Sequence, residues 1–283
     1  MSADVAAWVL MAAWMHAGWN LLVKRSPDGQ LDTVSFAVTA SGLAAMMLPV
    51  VPLPQVDCVP WMAASLLAHV AYFITLIKAY HHADLSVTYP LMRGLAPVLV
   101  TGLTVLTGEM VSPGQAIGIS LVGIGIALPV WIGLGRRAES RSGLLFGGLN
   151  AVIIALYTFL DGMGVRQAGS ATGYTVWMFF FNGWGILAYT VWRRGHAAVW
   201  QHVRTHWRLS VIGAAMSLGA YGIVLWAMTQ APLASVAALR EVSVVFAAVM
   251  GAWWLRERMG PTRIAGACLV GCGVMLIKLF GAG

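Results

Sequence analysis

Four charged side chains lie inside long apolar stretches of this sequence: Arg93, Asp161, Arg240 and Glu241. In hydrocarbon each costs about 2.5–3.5 kcal/mol on insertion scales, so each is expected to face a cavity or a partner. Their chemistry is that of recognition. An Arg holds its charge and offers a planar fork to a carboxylate. A buried carboxylate suits an ammonium group or carries a proton. His16, Asn20 and His69 add neutral polar groups within the same kind of stretch. Tyr72, Tyr89, Tyr157, Trp177 and Tyr221 supply walls for an apolar or aromatic body. Asn20, His69, Tyr72, Tyr89, Arg93, Tyr157, Trp177 and Tyr221 are therefore the expected substrate-binding residues. His16, Asp161, Arg240 and Glu241 are the expected gating or coupling residues. The set suits an amino acid and would also admit a cationic drug. A blander reading stands beside it, in which Arg240, Glu241 and Asp161 only hold helices together and Tyr72 and Tyr221 only pack.

Bond-making chemistry has no comparable signature. A membrane enzyme acting on lipid phosphates would need clustered acids for a metal, and a protease a Ser/His pair or an HExxH helix. Neither pattern occurs, nor does a GxxxxGK[ST] phosphate loop. An intramembrane enzyme is thus the weaker alternative, and no catalytic residue, cofactor or metal is expected. His202 and His206 are four apart, as two ligands on a helix would be, but no Cys, Asp or Glu stands beside them in sequence. A channel would need an oligomeric pore with charged rings.

The elements that must position these residues follow from composition. Of 283 residues 59% are apolar and 10% charged, against about 25% charged in a soluble domain. The net charge of +7 is scattered over short loops, which argues against a nucleic-acid partner and for the lipid bilayer. A membrane helix needs about 20 apolar residues. Ten runs qualify: 4–23, 31–51, 61–80, 87–107, 116–134, 144–165, 173–192, 209–229, 236–255 and 263–280. The first run lacks a positive start and carries His16 and Asn20, so it reads as a helix rather than a signal peptide. The odd-numbered loops hold thirteen Lys and Arg, the even loops and termini only Arg166 and Lys278. The odd loops are thereby expected in the cytoplasm and both termini outside. Cys58, in the second loop, is expected to be reachable from outside. The segment 193–208 carries Trp200, Val203 and Trp207 at helical spacing and reads as an interfacial helix.

The chain also repeats itself. At an offset of 148, Glu109 matches Glu257, Pro113 matches Pro261, Gly118 matches Gly266 and Gly125 matches Gly273. The same offset carries Arg93 onto Glu241; at 141, His16 falls on Tyr157 and Asn20 on Asp161. Five helices per unit is an odd number, so the second copy enters the membrane inverted. The expected units are residues 1–135 and 136–283.

Two closing patterns, Gly108-Glu109 to Gly125 and Arg256-Glu257 to Gly273, together with His16–Asn20 (HAGWN) and Tyr89–Gly94 (YPLMRG), resemble the drug/metabolite transporter superfamily. The branch is the ten-helix bacterial metabolite exporter family (EamA-type), whose members include exporters of aromatic amino acids. The resemblance implies an all-α integral membrane protein of ten helices around a central cavity, in the inner membrane, exporting small metabolites by alternating access. Many members are drawn with both termini in the cytoplasm, opposite to the charge count here. A monomer is the simplest state, with a dimer open through the Gly-rich faces.

Helices 1, 3, 4, 6, 8 and 9 carry polar or aromatic stripes and are expected to line the cavity. At about 1.5 Å per residue, Asn20 and Arg93 should fall in the cytoplasmic half, Asp161, Arg240 and Glu241 in the external half, and Tyr72 and Tyr221 between. Pro90 and Pro97 are expected to kink helix 4.

Overall fold

The computed structural model describes residues 1–25, 28–82, 85–134, 141–254 and 260–281. Arg136, Arg137, Arg256, Glu257, Arg258, Asp84 and the 135/136 unit boundary lie outside the described residues.

Among the described residues, the expected apolar runs fall largely on helical chain, although 31–51 outruns its helix and 236–255 is split in two. The helices are α1 (Ala3–Arg25), α2 (Gly29–Met47), α3 (Val59–His82), α4 (Leu85–Leu106), α5 (Pro113–Leu134), α6 (Arg141–Gln167) and α7 (Ala171–Arg194), then α8 (His196–Thr205), α9 (Trp207–Gln230), α10 (Leu233–Arg240), α11 (Ser243–Trp254) and α12 (Pro261–Phe280). Among the described residues, seven stretches are long and apolar enough to cross a membrane: those of α1, α3, α4, α6, α9 and α12, and the stretch Leu233–Trp253 that joins α10 to α11. Large apolar side chains cover the outside, among them Leu67, Leu145, Met275 and Trp253, each more than half exposed. In water such a surface would aggregate; in lipid it is matched.

Local sequence explains the helix ends. Asp28 caps α2 by accepting from the Leu31 N–H at 3.1 Å, and Ser170 caps α7 by accepting from the Gly173 N–H at 3.1 Å. Gly195 turns the chain between α7 and α8 with φ of 80°. The α8 segment is the expected short helix, with Trp200 exposed and Val199 buried.

Two features stand out. The first is that α4 carries Pro90 and Pro97 inside one continuous helical assignment. A break in the helix lies at the place one repeat offset later, between Arg240 and Ser243, where no Pro or Gly stands. Its backbone tightens to three-residue bonds, Val242 N–H to Leu239 at 3.2 Å and Val245 N–H to Val242 at 2.9 Å. The second is that the Gly-rich helices α5 and α12 pack chiefly on each other, with α5 also against α4. A Cβ on Gly118 would lie 2.7 Å from the Gly273 carbonyl, and one on Gly125 would lie 2.6 Å from that of Gly266. These approaches need the missing side chain. Gly123 also meets Gly94 of α4 in this way.

Other close neighbours include α1 with α9, α3 with α6, α2 with α7 and α9, α4 with α6 and α10, and α1 with α10 and α11. The two ends are tied differently. At one, the Met1 amino group donates to the Gly281 carbonyl, and Arg166 reaches the carbonyls of Met228 at 2.8 Å and Ala231 at 3.1 Å. At the other, Arg194 pairs with Asp28 at 3.3 Å and His202 with Asp32 at 2.6 Å. Cys58 is fully buried, contrary to its expected accessibility, because it closes the short 3-10 turn Val56–Cys58 against the core.

Candidate substrate site and charge cluster

Two groups of the expected residues converge in the interior. The first is ionic. Arg93 on α4 places Nε 2.8 Å from Glu241 Oε2, while Arg240 places Nη2 3.2 Å from Glu241 Oε1. All three are buried, with Glu241 only 1% exposed. Adjacent side chains on a regular helix point about 100° apart, and the break after α10 lets Arg240 fold back onto its neighbour. Arg93 Nη2 also donates to Ser243 Oγ at 3.3 Å and lies 3.4 Å from His16 Nε2. Arg240 Nη2 donates to Thr158 Oγ1 at 3.4 Å. Tyr89, one turn before Arg93, lies within electrostatic reach of Arg93, Glu241 and Arg240.

His16 has donors on both sides. Trp19 Nε1 donates to its Nδ1 at 3.3 Å, and Arg93 approaches its Nε2. A neutral imidazole accepts at one nitrogen only, so these two contacts compete. Asn20 donates to the His16 carbonyl at 2.7 Å; its amide is turned onto its own helix rather than to Arg93.

The second group is aromatic. The His69 ring lies 4.2 Å from that of Tyr157 and 6.4 Å from that of Tyr221, with Tyr72 5.9 Å from Tyr157. His69 Nδ1 is 2.9 Å from the Ser65 carbonyl. A carbonyl only accepts, so Nδ1 carries the proton and Nε2 is left as an acceptor. Asn150 fastens α6 to α3, donating to the Tyr72 carbonyl at 2.9 Å and to Thr75 Oγ1 at 2.7 Å.

Asp161 joins the aromatic group, not the ionic one. Tyr174 donates to its Oδ1 at 3.0 Å and Tyr221 donates to its Oδ2. No direct pair with Arg240 or Glu241 is made: both arginines turn to Glu241, and two phenols satisfy the Asp161 carboxylate. Room for Tyr174 comes from Gly164, where a Cβ would lie 2.6 Å from the phenol oxygen. With Asp161 included, the four buried charges sum to zero.

Arg93 and Glu241, expected in separate layers, thus meet as an ion pair. Trp177 stands apart, its ring neighbours being Phe180 and Phe181 of its own helix. Sequence reasoning missed Tyr174, Thr158, Ser243 and Trp19 as partners of these charges. Thr158 and Ser243 sit on helices remote in sequence from the arginines they serve and Tyr174 on the helix after Asp161, so no spacing announces them; Trp19 stands three residues from His16 on its own helix. His202 likewise gains an acid that its neighbourhood in sequence lacks, Asp32, and the described residues hold no group of three or more His, Cys, Asp or Glu placed for a metal.

Residues 141–279 match the model of the EamA-like transporter family. This match supports placement of that segment in the drug/metabolite transporter superfamily and a membrane-transporter role, and with the apolar stretches it supports a multi-pass membrane protein. A solved crystal structure, 15% identical, covers 98% of this chain and 96% of its own with a TM-score of 0.75, which shows a shared fold. No curated protein matches the chain.

Proposed function

We propose that this protein is a secondary transporter that exports small zwitterionic metabolites, aromatic amino acids among them, across the inner membrane by alternating access. The observation that carries this reading is the buried, charge-balanced cluster beside a ring-lined centre. Arg93 offers a fork for a carboxylate, Asp161 an acceptor for an ammonium, and His69, Tyr72, Tyr157 and Tyr221 flat faces for a side chain. Asn20 and Tyr89 border the cluster, and His16, Arg240 and Glu241 respond to whatever Arg93 holds.

Helix neighbours support two inverted units. Exchanging α1 with α6, α3 with α9, and α4 with the α10–α11 pair turns the α1–α9 contact into α6–α3, and the α4–α6 contact into one between α10–α11 and α1. The contact of α5 with α12 maps onto itself, and so do its glycines: Gly118 on Gly273 becomes Gly266 on Gly125. Units related in this way rock against each other around a central site.

A cationic drug is the second reading, favoured by Asp161 in its two-phenol cradle. Counterflow in liposomes separates the two. The amino-acid reading expects purified protein to exchange L-phenylalanine or a similar amino acid, with the amide a poor substrate and Arg93→Gln inactive. Exchange of cationic dyes that survives Arg93→Gln and is lost in Asp161→Asn would replace it with the drug reading.

A further inference from the structure

We propose that Glu241 is a built-in stand-in for a substrate carboxylate. It occupies Arg93 when the site is empty and yields it when a carboxylate ligand arrives, which releases the tie between α4 and the α10–α11 break. The proposal rests on the reading that the ligand carries a carboxylate.

The geometry divides Glu241 between two arginines. Oε1 is held by Arg240 through Nε at 3.3 Å and Nη2 at 3.2 Å. Oε2 faces Arg93 Nε at 2.8 Å, yet the two atoms are not aligned as a hydrogen bond. The hold of Arg240 is thus directed, while that of Arg93 is mainly Coulombic. An incoming carboxylate can take the Arg93 fork without setting Glu241 adrift, because Oε1 stays on Arg240. Loss of a partner by a buried charge is otherwise severely unfavourable. Exchange of one carboxylate for another keeps Arg93 neutralised throughout. The added negative charge lies next to Arg240, whose charge exceeds what Glu241 alone balances.

The exchange also reaches the fold. Arg93 belongs to the continuous helix of the first half and Glu241 to the interrupted one of the second. Their ion pair, with the Arg93–Ser243 bond, ties those elements together. Exchange at Oε2 cuts the pair only when ligand is present, so binding and movement are linked. A competitor within the protein also lowers apparent affinity, by the fraction of time Arg93 is free.

The test measures binding of L-phenylalanine, 3-phenylpropionate and L-phenylalaninamide to purified protein by thermal-shift titration, with phenylalanine counterflow alongside. Glu241→Gln should tighten both carboxylates by about tenfold or more, leave the amide unchanged and slow counterflow. Should that variant fold poorly, Glu241→Gln with Arg240→Gln keeps the net charge of the triad and should show the same tightening. Wild type that binds phenylalanine while neither variant binds it more tightly overturns the exchange but not the transport reading. Wild type that binds none of the three, with no counterflow, overturns the amino-acid reading. Even then the exchange requires the variants to gain carboxylate binding, and failure to gain it overturns the exchange as well.

Discussion

Arg93 and Glu241 stand 148 residues apart, the offset at which the sequence repeats, and they meet as a buried ion pair with Nε 2.8 Å from Oε2. Two positions one sequence offset apart thus carry opposite charges and face each other. Removing one partner of a buried pair costs about 3–5 kcal/mol, because the survivor is left uncompensated. Arg93→Gln and Glu241→Gln should each lower thermal stability in detergent, Glu241→Gln more so because it strands two arginines. The double variant Arg93→Gln with Glu241→Gln should lie above the sum of the single losses; strict additivity would show that the two charges are not coupled.

Asp161 depends on phenols. Tyr221→Phe and Tyr174→Phe each delete a hydrogen bond to a charged acceptor, worth about 1.5–3 kcal/mol. A double-mutant cycle on stability should find stronger coupling of Asp161 to Tyr221 than to Arg240. Equal or greater coupling to Arg240 would restore a direct ionic partner for Asp161.

The glycine seam between α5 and α12 tolerates no added carbon where backbones touch. Gly118→Ala and Gly125→Ala should each destabilise by about 1–3 kcal/mol through overpacking. Gly271→Ala, with nothing within 4 Å of the added Cβ, should be neutral or mildly stabilising, since Ala outranks Gly in a helix. Unfolding temperatures of the three variants decide this, and equal behaviour would remove the seam.

Asp32 is buried at the start of α2, and its Oδ1 meets His202 of α8 at 2.6 Å. His202→Ala should free α8 and raise protease cleavage within 195–206, while Asp32→Asn with His202 intact should do so less, because the amide oxygen still accepts. Unchanged cleavage in His202→Ala would mean that Val199 and Val203 dock the helix unaided.

Orientation is open to direct labelling. Met110, 91% exposed between α4 and α5, replaces Cys58 as the reporter position. In a cysteine-free background, Met110→Cys should react with an impermeant thiol reagent in intact cells, as the charge count of the loops requires. Labelling only after lysis would invert the topology.

The sequence by itself determined the environment and the helical elements. Long apolar runs force helices, because backbone in lipid has no other hydrogen-bond partner, and their observed ends lie within a few residues of the expected ones for most runs. It also marked Arg93, Asp161, Arg240 and Glu241, since a charge in an apolar run has no innocent reason to be there. Partnership was a different matter. Helical spacing tells which residues share a face of one helix, but not which face of another helix comes opposite, nor at what height. Counting residues along straight helices put Arg93 and Glu241 in opposite halves of the membrane. The break after Arg240 and the reach of two long side chains closed that distance. Tyr174 became the partner of Asp161 because Gly164 leaves a gap that only the packed helices reveal. Such pairings rest on interhelical contacts a few ångströms across, and only the tertiary structure decided them.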